Sequence, residues 1–464
     1  MKNTRHIIII FFFFMQSSCE NFVEVDVPDQ KIVSETVFGS DEAANNAVIG
    51  IYNELFKADF SNGNFRSVTL LGGLSAGELQ TTALNEEMIE FEESEILIEN
   101  SYNLALWSSA YNIIYLCNAV IDGLRKYNGV SEEMKAKLMG EVQFVRAFVY
   151  FYLVNLYGKV PLIQSPDYRE NALASRAEKT EIYEAIIDDL ENAVAILGES
   201  YEGGERIRPN KYTAMALMAR VYLFLEDWEK AETYSTQVIN STENYALLND
   251  LDQVFLANSQ EAIWQISPAG RALSVIPNEP RIFILTSAPP QSNQPTAITK
   301  KQLMLYSKKD IRSEYWLGVF PTDVKDYYYP TKYRIHDSEG IKEYSMVMRL
   351  AEQYFIRAEA KVHLENLTGA ITDLDKIRER ANLDLIMNLN SGITGEALLD
   401  SIQIERQREL FTEWGHRWLD IKRTGMAPKI LSGTKTSWQD TDVLYPIPEE
   451  ERSKNPNLTQ NNGY

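Results

Sequence analysis

Cysteine and histidine are scarce in this chain of 464 residues, which has two of the first and four of the second. The cysteines, Cys19 and Cys117, allow one disulfide at most, so no disulfide framework holds the fold together. Beyond the N-terminal leader only His336, His363 and His416 remain; no two stand at a helical ligand spacing, and a metal centre is not expected. Nothing resembles a nucleophile elbow or a phosphate loop, and Gly72-Gly73 and Gly203-Gly204 read as loop punctuation. No cofactor is expected. With 66 acidic residues, accidental carboxylate pairs are unavoidable, and none stands out as an acid and base for glycoside hydrolysis, so the chain reads as a non-enzyme. Positive charge is also in deficit: the formal charge of −21 argues against nucleic acid or an anionic lipid surface as partner.

Long hydrophobic runs are missing as well. The longest, Ile7 to Met15, reaches about 14 Å as a helix, against a hydrocarbon core of about 30 Å, and cannot span a membrane stably. It follows Lys2 and Arg5 and precedes Ser17, Ser18 and Cys19, which is the charged, apolar and small-residue order of a secretory signal. A cysteine just after the small residues is the mark of a lipoprotein signal: its thiol is diacylglycerated and its freed amine acylated. Gln16, where an aliphatic residue is commoner, departs from that pattern. Residues 1–18 are therefore expected to be removed and Cys19 to be the lipid anchor. Two or three acyl chains, at about 0.8 kcal/mol per buried CH₂, hold a protein stably on a membrane. Residues 19–37, acidic and containing Pro28, read as an extended tether. Cys117 then has no partner and is expected to be a small buried residue.

From Asp41, a candidate N-cap, the chain turns helical. Apolar positions at 104, 107, 111, 114, 118 and 121 mark a second helix over about 99–126. Paired helices recur near 140–197, 210–241 and 346–381. The third pair is the clearest, because Ala214, Ala216 and Ala219 lead through Glu226-Asp227-Trp228 to Ala231, the pattern of a tetratricopeptide repeat. In the fourth, Ala358 and Ala370 hold matching places, while Gly369 begins the second helix poorly. Inserts of unequal length separate the pairs. Residues 267–300 hold six of the sixteen prolines and a strand-like stretch, Ile282 to Leu285. Residues 306–344 are rich in tyrosine. Aromatic faces that stack on sugar C–H patches, interleaved with Arg, Asp and Asn for the hydroxyls, are the chemistry of a carbohydrate site, and Arg312, Tyr315, Trp316, Asp326, Tyr327, Tyr328 and Tyr329 supply it. The segment Ile404 to Arg423 reads as one helix with Glu405, Glu409, Glu413 and Arg417 on one face, a structural ion-pair lattice stapled to the repeats.

Several blocks together resemble the SusD/RagB family: Glu141, Arg146-Ala147-Phe148 and Tyr157-Gly158-Lys159-Val160-Pro161-Leu162 upstream, Arg349 to Ala360, Glu405 to Arg423, and the close Leu444-Tyr445-Pro446-Ile447-Pro448 with Asn455-Pro456-Asn457-Leu458 and Gln460 to Tyr464. Where the family often has Asp-Glu after the first helix, this chain has Gly77-Glu78. The resemblance implies a mostly α, SusD-like fold over residues 38–464, with four tetratricopeptide-like helix pairs (41–126, 140–197, 210–241, 346–381) packed against loop-rich inserts (59–100 and 267–334) and minor β. It implies an outer-membrane lipoprotein, facing the cell exterior through acylated Cys19, that captures an oligosaccharide for a TonB-dependent, SusC-like transporter. A peptide-binding member, a protein-only repeat scaffold and a surface hydrolase are the alternatives. Family ligand sites draw on the inserts, which offers Phe60, Asn64, Phe65 and Arg66, then Asn85 and Phe91, then Tyr315, Trp316, Tyr327 and Tyr328. The preferred contacts are Phe65, Arg66, Asn85, Tyr315, Trp316, Tyr327 and Tyr328, with Trp316 as an exposed platform; Asp310-Arg312 and Lys332-Tyr333 look like framework.

Overall fold

A computed structural model describes residues 34–270, 275–335, 337–390 and 392–464. The leader, Cys19, most of the tether and His336 lie outside the described residues. The tether's last residues, Ser34–Val37, form a helical turn rather than extended chain, and Phe38 after them is buried.

Eight long helices build the scaffold: α1 (Asp41–Lys57), α2 (Ser101–Lys126), α3 (Glu132–Tyr157), α4 (Lys179–Ile196), α5 (Lys211–Phe224), α6 (Trp228–Asn240), α7 (Leu350–His363) and α8 (Leu367–Arg380). Each packs on the next in chain order. Their starts follow from side chains that take up orphan backbone N–H groups. Ser40, not Asp41, caps α1 by accepting from Ala43; Asp41 instead accepts from Ser131 at the start of α3. Asn210 and Thr213 close a reciprocal capping box on α5, and Asp227 caps α6. Gly369 is explained by its cap: Asn366 folds over the third residue of α8, and a Cβ there would fall 2.6 Å from Nδ2. The small residues lie where the helices cross, with Ala214, Ala216, Ala219, Ala231, Ala358 and Ala370 all fully buried. Cys117 is buried and free.

On α2 the buried positions run 103, 106, 110, 113, 117, 120 and 124 as well as 107, 114 and 121, because the helix is held between α1 and α3. A single stripe describes only half of that. Although α2 has the length and apolarity of a membrane span, half of its apolar window is buried within the body.

Buried arginine–carboxylate pairs tie the helices together. Arg146 on α3 bonds Asp189 on α4 at 2.7 Å and Asn118 on α2 at 2.7 Å. Arg220 on α5 reaches Glu352 on α7 at 2.6 Å, and Arg357 on α7 reaches Asp373 on α8 at 2.6 Å.

The strands are short: β1 (Leu79–Thr81), β2 (Val160–Pro161), β3 (Arg176–Ala177), β4 (Ala262–Ile266), β5 (Thr296–Ile298), β6 (Leu317–Phe320), β7 (Tyr327–Pro330) and β8 (Ser345–Arg349). They pair antiparallel as β1–β5, β2–β3, β4–β8 and β6–β7. The fourth helix pair thus begins with a strand at 345–349. The Ile282 to Leu285 stretch is not a strand; Glu279–Phe283 is a helical turn with Pro280 in its first turn, where a missing N–H costs nothing. Gly72-Gly73 is not a loop either. It lies in the helix Val68–Ser75, where Gly72 approaches Gly415 so closely that a Cβ would fall 2.8 Å from its Cα.

The charged segment Ile404 to Arg423 falls on two helices, α9 (Gly395–Glu409) and α10 (His416–Arg423), separated by a turn in which Thr412, Trp414 and Gly415 have positive φ. Glu413 therefore cannot pair with Arg417 along a continuous helix. Instead the expected ion-pair lattice turns inward. Glu409 meets Arg349 at 2.7 Å, Arg312 at 2.9 Å and also Arg380. Glu261 bridges Arg349 at 2.8 Å and Arg380 at 2.7 Å, and Glu413 bridges Arg349 and Lys332. Arg312 further holds Asp310 and Glu405. Burial works to raise the Glu409 carboxyl, but Arg380, Arg349 and Arg312 hold it well below the usual carboxylate range.

Glu409→Gln should therefore cost about 3–5 kcal/mol of unfolding free energy, because three buried guanidinia lose the charge that compensates them. Denaturant unfolding of the two proteins checks this; a loss below about 1 kcal/mol would contradict it.

Candidate ligand-binding face

Both large inserts leave the scaffold and meet. β1, from the insert between α1 and α2, pairs with β5 in register Leu79 to Ile298, Gln80 to Ala297 and Thr81 to Thr296. The Thr82 N–H extends the ladder to the Pro295 carbonyl at 2.7 Å, and Thr299 donates to the Glu78 and Gly77 carbonyls. Asn278 Nδ2 donates to the Asn62 carbonyl at 2.7 Å. The hairpin β6–β7 lies against β5.

The 58–67 loop folds back on the end of α1, where Ser61 and Asn62 donate to the carbonyls of Leu55 and Lys57. It presents Arg66, whose guanidinium lies 5.0 Å over the Tyr102 ring and 3.6 Å from Asp59, with its side chain 44% exposed. Tyr102 accepts at its hydroxyl from Asn85 Nδ2 at 2.9 Å, while Asn85 Oδ1 accepts from the Met88 N–H and caps the helix Glu86–Glu93. Arg66 and Asn85, some twenty residues apart in the chain, thus meet on one tyrosine. Both polar ends of Asn85 are committed to this structure, so it positions Tyr102. Phe65 is half-buried beside the core. Phe60 and Phe91, by contrast, are fully buried and available to no ligand.

Tyr102 and Asp59 were not among the sequence candidates. Tyr102 falls just outside the apolar stripe of α2, and an aromatic at a helix start off the buried face is the signal that would have found it.

The second group stands on the hairpin. β6 and β7 pair Val319 with Tyr328 and Phe320 with Tyr327, and the tip carries Val324 at 92% exposure. Tyr327, Tyr328 and Tyr329 are each half-exposed, and Lys325 lies 4.7 Å over the Tyr327 ring. Gly318 leaves its space to the Tyr329 ring across the ladder. Tyr315 is half-buried, with Arg334 5.7 Å over its ring. Trp316 is not a platform. It is 1% exposed, edge-on to Phe255, with Lys332 at 4.8 Å and Arg349 at 5.8 Å over its ring. An indole among buried cations gains electrostatically from their approach to its face, and this location belongs to the ion network.

Glu78, at the departure from the Asp-Glu pattern, is buried below the β1–β5 junction, and burial pushes its carboxyl up to about 8 against a single bond from the Thr412 N–H. Among the described residues no group of three His, Cys, Asp or Glu is placed to hold a metal ion. His363 stacks on Trp228 at 3.8 Å.

A family model described as starch-binding and associating with the outer membrane matches residues 22–223, and the SusD family model matches residues 320–464. A SusD-like protein of Formosa agariphila is 25% identical over the full length of both chains. A SusD superfamily structure from Bacteroides vulgatus is similar with a TM-score of 0.81 at 20% identity, covering 92% of this chain and 100% of its own. A laminarin-binding SusD-like protein is similar with a TM-score of 0.77 at 23% identity, covering 91% of this chain and 99% of its own.

Trp316→Ala should cost about 3–5 kcal/mol of stability, measured by thermal unfolding, since it opens a cavity beside buried charges; an unchanged melting temperature would return Trp316 to the surface. Glu78 predicts a pH effect. Its carboxyl titrates near 4.3 in an unfolded chain and near 8 when folded, so folding takes up a proton between these values. The stabilisation is complete below about pH 4 and is lost as pH rises toward 8, by at most about 1.4 kcal/mol per pH unit. The stability of the wild type relative to Glu78→Gln should fall between pH 5 and pH 8; a constant difference would contradict the assignment.

Proposed function

The chain belongs to the SusD/RagB family of outer-membrane-associated glycan-binding proteins, and from that premise we propose that it captures an oligosaccharide at the cell surface and passes it to a TonB-dependent, SusC-like transporter. The observation that carries the reading is the Arg66–Tyr102 stack with Asp59, built on the 58–67 loop that meets the second insert through Asn62 and Asn278. A half-exposed aromatic face offers a sugar ring its apolar patch, while the guanidinium and carboxylate beside it supply a donor fork and an acceptor for vicinal hydroxyls. On the hairpin of the second insert, half-exposed Tyr327 presents a second aromatic surface, while Tyr328, its neighbour along the strand, turns to the other face and packs on the core. Because loops hold these groups and packed helices hold the loops, the ligand meets a surface largely formed before it arrives.

Family members are binding proteins rather than enzymes, and the same role fits this chain: the perturbed carboxyls of Glu78, Glu409 and Glu413 are buried inside the framework instead of facing the exposed stack. Acylated Cys19 anchors the protein to the outer membrane, facing outward, and the tether gives it reach over the transporter.

On a glycan and peptide array, the chain from residue 20 should bind an oligosaccharide without releasing products; cleavage, or binding to peptides alone, would contradict the reading. Arg66→Ala should weaken that binding at least tenfold while moving the melting temperature by no more than a degree or two, since an exposed ion pair contributes at most about 1 kcal/mol. Cys19→Ala should move the protein from the membrane fraction to the soluble one, and protease treatment of intact cells should digest the wild type.

A further inference from the structure

Arg417 is anomalous in a protein whose buried arginines are otherwise paired. It lies at the start of α10, is mostly buried, and its Nε has no hydrogen-bond partner. Among the described residues its guanidinium makes neither a hydrogen bond nor an ion pair, whereas Arg146, Arg220, Arg312, Arg349, Arg380, Arg406 and Arg423 all do. The two carboxyls whose charge favours it most, Asp420 and Glu78, do not pair with it. Asp420 is taken by Arg406 at 2.9 Å and Arg423 at 2.8 Å. Glu78 is held protonated at neutral pH by its burial, which pushes it up to about 8. Burial accordingly lowers the Arg417 guanidinium from its ordinary value.

Arg417 lines a cavity of about 480 Å³ between the Ala76–Leu79 turn, the Thr299–Leu305 segment, Gln407 and the 430–435 turn. That volume is within the range of small-molecule sites, about 300–1,000 Å³. Lys300 and Lys301 are exposed and line the same cavity. Lys435 also lines it, but its ammonium is spent on the carbonyls of Leu74, Ser75 and Phe91 and on Ser94. Two carboxylates, Glu92 and Glu93, also stand in the wall, Glu92 accepting from the Thr81 N–H at 2.6 Å, and Arg417, Lys300 and Lys301 outnumber them. In a chain of charge −21 this is a local concentration of positive charge around a concave space. Thr299, Gln407 and Thr434 add neutral polar groups to the wall.

We propose that this cavity is a second ligand site, separate from the Arg66–Tyr102 stack, which binds the anionic group of an acidic sugar, a carboxylate or a sulfate ester, against Arg417. A planar guanidinium matches either oxyanion with two parallel N–H···O bonds, and the neutral polar groups of the wall serve the sugar hydroxyls. The proposal deepens the glycan-capture reading by giving the glycan a charge, and it rests on that reading for the sugar but not for the anion.

Calorimetric titration of the chain from residue 20 with trigalacturonate, a sulfated galactose trisaccharide, neutral galactotriose and sodium sulfate separates the cases. One of the two acidic trisaccharides should bind at least tenfold more tightly than the neutral one, and Arg417→Gln should abolish that preference. Lys300→Glu with Lys301→Glu, both on the surface, should weaken acid binding severalfold with no change in melting temperature, which keeps the test sound if Arg417→Gln folds poorly. Equal binding of acidic and neutral trisaccharides, or a preference that survives both variants, would overturn the anionic site while leaving glycan capture standing. Sulfate binding that requires Arg417, with no trisaccharide bound, would place a free anion in the cavity and overturn its assignment to a sugar.

Discussion

Glu409 and the three guanidinia around it are the constraint on which the rest of the molecule depends. Arg349 enters from the end of β8, Arg380 from the last turn of α8 and Arg312 from the central insert, so one carboxylate joins the fourth helix pair, the C-terminal helices and the ligand-side insert. Lys332 and Glu413 extend the join to the chain that follows the tyrosine hairpin. Removing ions from water costs several kcal/mol each, and only near-complete mutual pairing offsets that. A network of this kind adds less to net stability than to uniqueness: an insert docked a few ångströms away would strand a buried charge. We read the network as the device that gives loops the positional precision of helices.

That precision is what a binding surface needs. The helix pairs interlock through small residues and through Arg146–Asp189, Arg220–Glu352 and Arg357–Asp373, one salt bridge for each of several interfaces. The inserts contribute few long elements of their own. They are held by the β1–β5 pairing, by Asn278 on the Asn62 carbonyl and by the ion network, and they carry exposed groups such as Arg66, Tyr327 and Val324 outward. Rigid support beneath and accessible side chains above divide the labour between scaffold and site.

Much of the scaffold was legible in the residues, because helix periodicity, caps and alanine-lined crossings act over a few residues. The Ala214–Ala231 set, with Glu226-Asp227-Trp228 between, announces α5 and α6 directly. The errors lie where tertiary contacts override local pattern. Ile404 to Arg423 has helical spacing throughout, yet the approach of Gly72 to Gly415 and the pull of Arg349 and Lys332 on Glu413 break it at 410–415. Gly72-Gly73 looks like a loop and is a helix for the same reason. The site was less legible: Arg66 and Asn85 were on the candidate side, but Tyr102, the ring on which they meet, belongs to a scaffold helix. Trp316 could not be told from a surface tryptophan, since its burial is decided by Phe255, Lys332 and Arg349, distant in the chain.

The central claim is that a rigid helical scaffold holds a preformed, non-catalytic binding face on its inserts. Hydrogen exchange read by mass spectrometry, with and without the tightest-binding oligosaccharide from the array, tests it most directly. New protection is expected only at residues 58–67, 76–102, 299–305, 317–330, 407–417 and 430–435, with α3 to α8 exchanging as before and the sugar recovered intact. Protection concentrated on the helix pairs, or recovery of a cleaved sugar, would contradict it.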